Sequence, residues 1–220
     1  MASAKEMIAY RAAQELSNGD VVNLGIGLPT LVSNYIPPDV HIILQSENGI
    51  LGMGELCMLG EEDKDCVNSG NQFVKVLPGA SYFDSATSFG IIRGGHVDIT
   101  ILGALQVDET GTLASHIVPG KMVPGMGGAM DLVEGAKKVI IATTHTAKGA
   151  PKLLNKVTLP ITAVNKVDMI ITELAVIEVT KEGFLLKEIA HDTTAEEVQN
   201  LTEAKLLVSS ELKTMLPYQE

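Results

Sequence analysis

The tetrapeptide Ser46-Glu47-Asn48-Gly49 places one carboxylate on an abrupt turn directly behind a short apolar strand, Val40-His41-Ile42-Ile43-Leu44-Gln45. A side chain presented this way projects outward. Strand ends on sharp turns are where open α/β sheets gather ligands, and Asn-Gly supplies residues that accept left-handed backbone angles at little cost. Four such residues would also serve as a solvated polar loop, so their meaning depends on what the chain brings beside them. A carboxylate is a weak nucleophile that attacks only an acyl group already activated, of which a thioester is one example. Attack creates an oxyanion, and loss of one preorganised donor to such a charge costs about 3–4 kcal/mol of barrier, so donors are required. The backbone of Gly127-Gly128-Ala129 and the side-chain amide of Asn23 are the candidates.

The elements that must position these groups alternate between helix and strand. Ser3-Ala4-Lys5-Glu6 reads as a capping box, Ile8, Ala12 and Leu16 follow at four-residue steps, and Gly19 stands where a left-handed cap would end that helix. Val21 to Leu24 reads as a buried strand, Gly25-Ile26-Gly27 as a tight crossing, and Pro29 as the start of a helix reaching about Tyr35, stopped by Pro37-Pro38. Beyond the strand that ends at Glu47, a helix is expected from Asp84 to Ile92, a strand from Val97 to Leu102, and a turn at Asp108-Glu109-Thr110-Gly111. The glycine-rich loop Pro119 to Gly128 then leads into a short helix, Ala129 to Glu134. Its glycines allow close ligand approach, and the helix start leaves unpaired N–H donors.

Val139 to Thr143 is the next expected strand, and Met169 to Thr180 is strand material broken near Glu173. Lys181-Glu182-Gly183 turns it back into Phe184 to Ile189, Thr193-Thr194-Ala195-Glu196 caps one more helix, and Leu206 to Val208 is a last strand. The expected architecture is α/β, a mainly parallel sheet layered with helices and carrying a late antiparallel hairpin.

Composition bounds the function. With 220 residues, 45% of them hydrophobic, no linker and no low-complexity tract, the chain fits one domain spanning residues 1–220. A net charge of −11 without clustered Lys or Arg argues against nucleic acid. Cys57 and Cys66 lack zinc-ligand spacing and read as ordinary thiols, so no metal is expected. Lys5, Glu6 and Arg11 interrupt the amino terminus as no signal peptide would, and no stretch is long enough to span a bilayer, which makes the cytoplasm the expected location.

Gly25-x-Gly27 after a strand, with Glu47 about twenty residues on, has the outline of a dinucleotide fingerprint. Thr30 replaces its third glycine, Pro29 sits inside it, and an acid meant for a ribose needs no Asn-Gly turn behind it.

Asn23 through Pro29, Gln45 through Gly49, Leu102 through Asp108 and Pro119 through Val133 together resemble the β subunit of a family I CoA-transferase, of the acetate or butyrate–acetoacetate type and its succinyl-CoA:3-oxoacid relatives. The likeness spans nearly the whole chain. It implies a fold shared with ribose-phosphate isomerases and ping-pong chemistry in which Glu47 attacks an acyl-CoA. An acyl-glutamyl anhydride then becomes a glutamyl-CoA thioester from which a second acid takes the CoA. It further implies that Gly128 and Ala129 are oxyanion or thioester contacts with Gly127 beside them, and that Asn23 is a polar contact. Gly25, Gly27, Asn48 and His116 are pocket candidates, with His116 as a wall. No cofactor is implied, coenzyme A entering as the thioester substrate.

The partner implied is a homologous α subunit in an α2β2 assembly, with no membrane contact. Many relatives read Ala-Asn-Trp where this chain has Ala114-Ser115-His116, and Asn-Ala-Gly-Gly where it has Asn68-Ser69-Gly70-Asn71, which leaves the acyl preference open. His96 and His145 are expected to be structural, because a carboxylate nucleophile needs no base, and Lys121 and Lys148 to be solvated. The fold is also that of sugar-phosphate isomerases and sugar-phosphate sensors, so fold alone leaves those alternatives standing.

Overall fold

The computed structural model describes residues 3–121 and 126–216. In chain order it runs α1 (Ala4–Ala13), β1 (Val21–Leu24), a 3-10 helix (Leu28–Tyr35), β2 (Ile43–Ser46), β3 (Ile50–Leu56), β4 (Val74–Tyr82), α2 (Ser85–Arg93) and β5 (Ile99–Leu102). The short strands β6 (Gln106–Asp108) and β7 (Leu113–Ala114) precede α3 (Ala129–Gly135) and β8 (Lys138–Ala142). Three two-residue strands follow, β9 (Thr146–Ala147), β10 (Ala150–Pro151) and β11 (Leu153–Leu154), then β12 (Met169–Ile171), β13 (Ala175–Thr180), β14 (Gly183–Ile189), α4 (Ala195–Asn200) and β15 (Leu206–Thr214).

Ten strands form one sheet in the order β15-β14-β13-β12-β8-β5-β1-β2-β3-β4. Its centre, β12-β8-β5-β1-β2, is parallel throughout. Antiparallel ribbons extend it on both sides: β3 and β4 beyond β2, and β13 and β14 beyond β12, with β15 parallel to β14 at the edge. The expected late hairpin is β13–β14, turned at Lys181-Glu182 between the paired Thr180 and Gly183. The expected break falls at Thr172-Glu173-Leu174.

Strand periodicity divides the core in two. Along the buried strands, Ile101, Ile140, Ile171 and Val176 point to the face covered by α1 through Ile8, Ala9 and Ala12. Their chain neighbours Leu102, Ile141, Ile170 and Ile177 point to the other face, beneath Ile92 of α2, Leu132 and Val133 of α3 and Val198 of α4. Side chains alternate across a strand, so a buried parallel strand needs apolar residues at every position.

Three local expectations are corrected. The Ser3–Glu6 capping box is present, but α1 ends at Ala13 with Gln14 as its cap, and Gly19 (φ +88) instead turns the chain toward β1, giving its N–H to His41 O at 2.8 Å. The segment after Gly27 is a 3-10 helix, in which Thr30 Oγ1 donates to Gly27 O (2.7 Å) and Ser33 Oγ to Thr30 O (2.8 Å), side-chain bonds that compete with regular α-helical pairing. The strand reaching Glu47 begins at Ile43 rather than Val40. No helix among the described residues is long and apolar enough to cross a membrane.

Two buried polar arrangements lock helices to the sheet. Arg11 donates from Nε and Nη2 to both carboxylate oxygens of Glu188 at 2.8 Å and from Nη1 to Glu15 at 2.8 Å, while Lys138 reaches Glu15 at 2.7 Å. His145 lies fully buried between two threonines. Thr202 Oγ1 gives its proton to Val198 O, so His145 Nε2–H donates to Thr202 (2.8 Å) and Nδ1 accepts from Thr172 (2.9 Å). Burial alone pushes His145 from 6.5 down to about 4. Its folded value lies below its unfolded one, so the stability carried by the neutral ring is complete above pH 6.5 and is lost as pH falls toward 4. That loss amounts to roughly 3 kcal/mol. Denaturation midpoints should therefore drop between about pH 7 and 5, and His145→Gln, less stable at neutral pH, should flatten that interval.

Candidate active site

The carboxyl ends of three adjacent parallel strands meet at one place. Residues just past the end of β1 (Gly25, Ile26), of β2 (Glu47) and of β5 (Gly103, Ala104) line a cavity of about 420 Å³. β1 has β2 on one side and β5 on the other, the reversal of strand order at which open α/β sheets leave a crevice. The rest of the lining is Ser115 and His116 after β7, then Met126, Gly127, Gly128 and Ala129 running into α3, and Leu132 within it.

Glu47 is held by its turn. Ser46 pairs with Ile50, so Glu47-Asn48-Gly49 is a three-residue hairpin loop, closed by Gly49 N–H donating to Ser46 O at 3.0 Å. Only glycine fits at 49: its φ is +120, and a Cβ there would fall 2.1 Å from Phe83 O. Phe83 N–H in turn donates to Gly49 O, and the chain enters α2 through Asp84, whose Oδ1 accepts from Thr87 N–H at 2.8 Å. Asn48 is exposed and ties the turn to Val67 O through Nδ2 at 2.7 Å.

Behind Glu47 runs a chain of buried amides. Ser88 of α2, fully buried, stands 3.1 Å from Gln45 Nε2, and Gln45 Oε1 accepts from Asn23 Nδ2 at 2.7 Å. The same Nδ2 lies 3.1 Å from Gln45 O and 3.4 Å from Glu47 Oε2. All three neighbours are acceptors, which fixes the amide with its nitrogen toward the carboxylate. In front of Glu47 the backbone comes close: a Cβ on Gly128 would sit 3.2 Å from Glu47 Cγ and 3.4 Å from Phe89 Cε1. Among the described residues Ala129 N–H reaches Met126 O at 3.5 Å, at the start of a helix whose first N–H groups have no partner within it. Ala104 O is held by Thr143 Oγ1 (3.1 Å) and Lys152 Nζ (3.4 Å), and burial lowers the Lys152 pKa against the opposing charge of Glu173.

Of the residues singled out from the sequence, Asn23, Gly25, Glu47, Gly127, Gly128, Ala129 and His116 all line this cavity. Gly27 and Asn48 do not. Gly27 (φ +91) instead starts the 3-10 helix. Met122 to Gly125 of the glycine-rich loop fall outside the described residues. His96 is exposed and His145 interior, and neither lines the cavity, while Lys121 and Lys148 are exposed. Both cysteines are free thiols. Sequence reasoning missed Gln45, Ser88, Phe89 and Lys152. Gln45 adjoins the tetrapeptide and was within reach, but the others are brought in by tertiary packing alone.

A family model described as coenzyme A transferase matches residues 5–200. The chain is 55% identical over 212 residues to the β subunit of the acetate CoA-transferase of Escherichia coli (strain K12), covering 96% of this chain and 97% of that one. It is 49% identical over 210 residues to the corresponding subunit of a probable succinyl-CoA:3-ketoacid coenzyme A transferase of Bacillus subtilis (strain 168), covering 95% and 97%. Its fold resembles that of the acyl-CoA transferase YdiF apoenzyme of Escherichia coli O157:H7, with a TM-score of 0.76 at 24% identity over 97% of this chain and 43% of that longer one. The chain belongs to the coenzyme A transferase family, and it is a CoA-transferase chain of the β type.

Gly128→Ala tests the contact in front of Glu47. Gly128 has φ −84, which alanine tolerates, so the fold should survive with a melting temperature within a few degrees of the parent. The displaced carboxylate should lower the CoA-transfer rate by ~10-fold or more, the scale on which misplacing a reacting group acts.

Proposed function

We propose that this chain is the β subunit of an enzyme that moves CoA between short-chain acyl-CoA thioesters and carboxylic acids, with Glu47 as the covalent nucleophile. The observation that carries the reading is the position of the Glu47 carboxylate. It is half-buried on a glycine-locked turn, with the Asn23 amide at 3.4 Å and the Gly128 backbone so near that a side chain there would crowd its Cγ, and it lines the cavity.

Glu47 attacks the thioester carbonyl, forming a C–O bond; the resulting oxyanion collapses as the C–S bond breaks, leaving an acyl-glutamyl anhydride and CoA thiolate. The thiolate attacks the glutamyl carbonyl of the anhydride and releases the first acid, which leaves a glutamyl-CoA thioester. A second carboxylate attacks that thioester, and the same two steps run in reverse to give the new acyl-CoA and regenerate Glu47. Asn23 Nδ2–H and the main-chain amides at Gly128 and Ala129 are suitably placed donors for the transient charge. Binding energy from the long CoA tail, remote from the reacting atoms, offsets the cost of the reactive anhydride.

A homologous α subunit completes the enzyme, in an α2β2 assembly in the cytoplasm, with residues 1–220 as one domain. The relatives are named as single subunits of larger enzymes, which supports a partner, as does an apolar surface around the β3–β4 ribbon. There Leu56, Met58, Leu59, Leu77 and Tyr82 are each half exposed or more. The relatives named for acetate and for succinyl-CoA and 3-ketoacids define the substrate range to survey.

Incubating the reconstituted αβ enzyme with acetoacetyl-CoA and no acceptor acid, then digesting and weighing the peptides, should reveal CoA attached to the peptide containing Glu47. Glu47→Gln should abolish both adduct and exchange while keeping fold and assembly. An unmodified peptide in the active parent enzyme, or full activity in the variant, would refute the mechanism.

A further inference from the structure

The cavity that holds Glu47 carries a second polar cluster that the transfer chemistry does not use. Ser115 and His116 line the cavity, and Thr162, buried beside them, binds both. Ser115 Oγ and Thr162 Oγ1 are 2.8 Å apart, and each lies 3.3 Å from His116 Nδ1. Thr162 Oγ1 also accepts Ser115 N–H at 3.1 Å, and Thr162 N–H donates to Leu113 O at 2.7 Å, so the cluster is anchored to the main chain.

Counting protons gives the ring arrangement that satisfies both hydroxyls within the cluster. The two hydroxyls carry two protons. One lies along the Ser115–Thr162 bond, and the other has an acceptor within the cluster only if His116 Nδ1 receives it. In that arrangement the ring presents its N–H at Nε2, which has no hydrogen-bond partner among the described residues. His116 thereby offers a donor in a cavity whose lining includes the apolar Ile26, Leu102, Ala104 and Leu132 and, as further polar members, Asn23, Glu47 and Ser115.

We infer that His116 is the specificity-determining residue of this enzyme, its Nε2–H donating to an oxo group at C3 of the acid that exchanges CoA at Glu47, and that the chain therefore prefers 3-oxo acids to plain fatty acids of equal length. The inference rests on the proposed role of Glu47, which anchors the carboxyl end of the acid while its chain extends toward His116. A neutral oxygen suits this wall better than a second carboxylate does, because no Lys or Arg lines the cavity among the described residues.

The test compares acetoacetate, butyrate and succinate as acceptors, with one acyl-CoA donor and the reconstituted enzyme. In His116→Leu, the ratio of kcat/KM for acetoacetate to that for butyrate should fall ~10- to 100-fold, the range a lost hydrogen bond in a desolvated pocket spans. His116→Gln, whose amide reaches the position of Nε2, should restore most of the preference. Equal losses for acetoacetate and butyrate, or an unchanged ratio, would overturn the assignment. So would a parallel fall for succinate, which would make the wall a carboxylate site. The Glu47–CoA adduct formed from butyryl-CoA separates this failure from that of the underlying mechanism. If the parent enzyme and His116→Leu both form it and the ratio does not move, only the specificity assignment is lost. If the parent enzyme forms none, the Glu47 mechanism fails and the assignment falls with it.

Discussion

The site depends on the side-chain amide of Asn23. Buried in the central part of the sheet, it donates through one nitrogen toward Gln45 Oε1, Gln45 O and Glu47 Oε2. Flipping the amide would aim its oxygen at those three acceptors. The orientation is therefore forced by what surrounds it, and Gln45, held in turn by Ser88 of α2, keeps the arrangement rigid. The result is a donor held beside the Glu47 carboxylate, the group to which the proposed mechanism gives the attack.

That arrangement is possible because of where the sheet reverses. β1 lies between β2 and β5, and the three strands end together, so residues far apart in sequence arrive at a common edge. The two-sided core explains the stiffness of this platform. Aliphatic residues on successive positions of β5, β8 and β12 enter opposite core clusters, and α1 closes one face while α2, α3 and α4 close the other. Arg11 pins α1 to the distant Glu188 of β14, so the covering helix cannot slide over the strands that carry the site.

The sequence was readable where local chemistry decides and opaque where packing does. The Ser3–Glu6 box, a helix over Asp84 to Ile92, the break near Glu173 and the Lys181-Glu182 turn are all present, the helix running Ser85–Arg93 with Asp84 as its cap rather than its first residue. The β3–β4 ribbon carries no clean alternation: its burial is mostly partial and its register shifts twice, so nothing marked it in advance. Gly19 looked like a helix cap because it follows a helical pattern, yet what it satisfies is a bond to His41. Within the site, Glu47, Asn23 and the Gly127-Gly128 pair were legible because glycine and amide positions are chemically unusual. Phe89, Ser88 and Lys152 were not, since each reaches the cavity region only through a helix or strand placed by the whole fold.

Glu47 rides on the β2–β3 hairpin, whereas His116 and Gly128 lie on a separate stretch of chain between β7 and α3. Two segments far apart in sequence thus share one cavity, and they meet where the Gly128 backbone comes close to Glu47. On the proposed mechanism, a change at His116, whose hydrogen bonds run to Ser115 and Thr162, retunes which acid is accepted, whereas a change at Gly128 moves the attacking carboxylate as well, so one chemistry diversifies among metabolites through the first position and not the second.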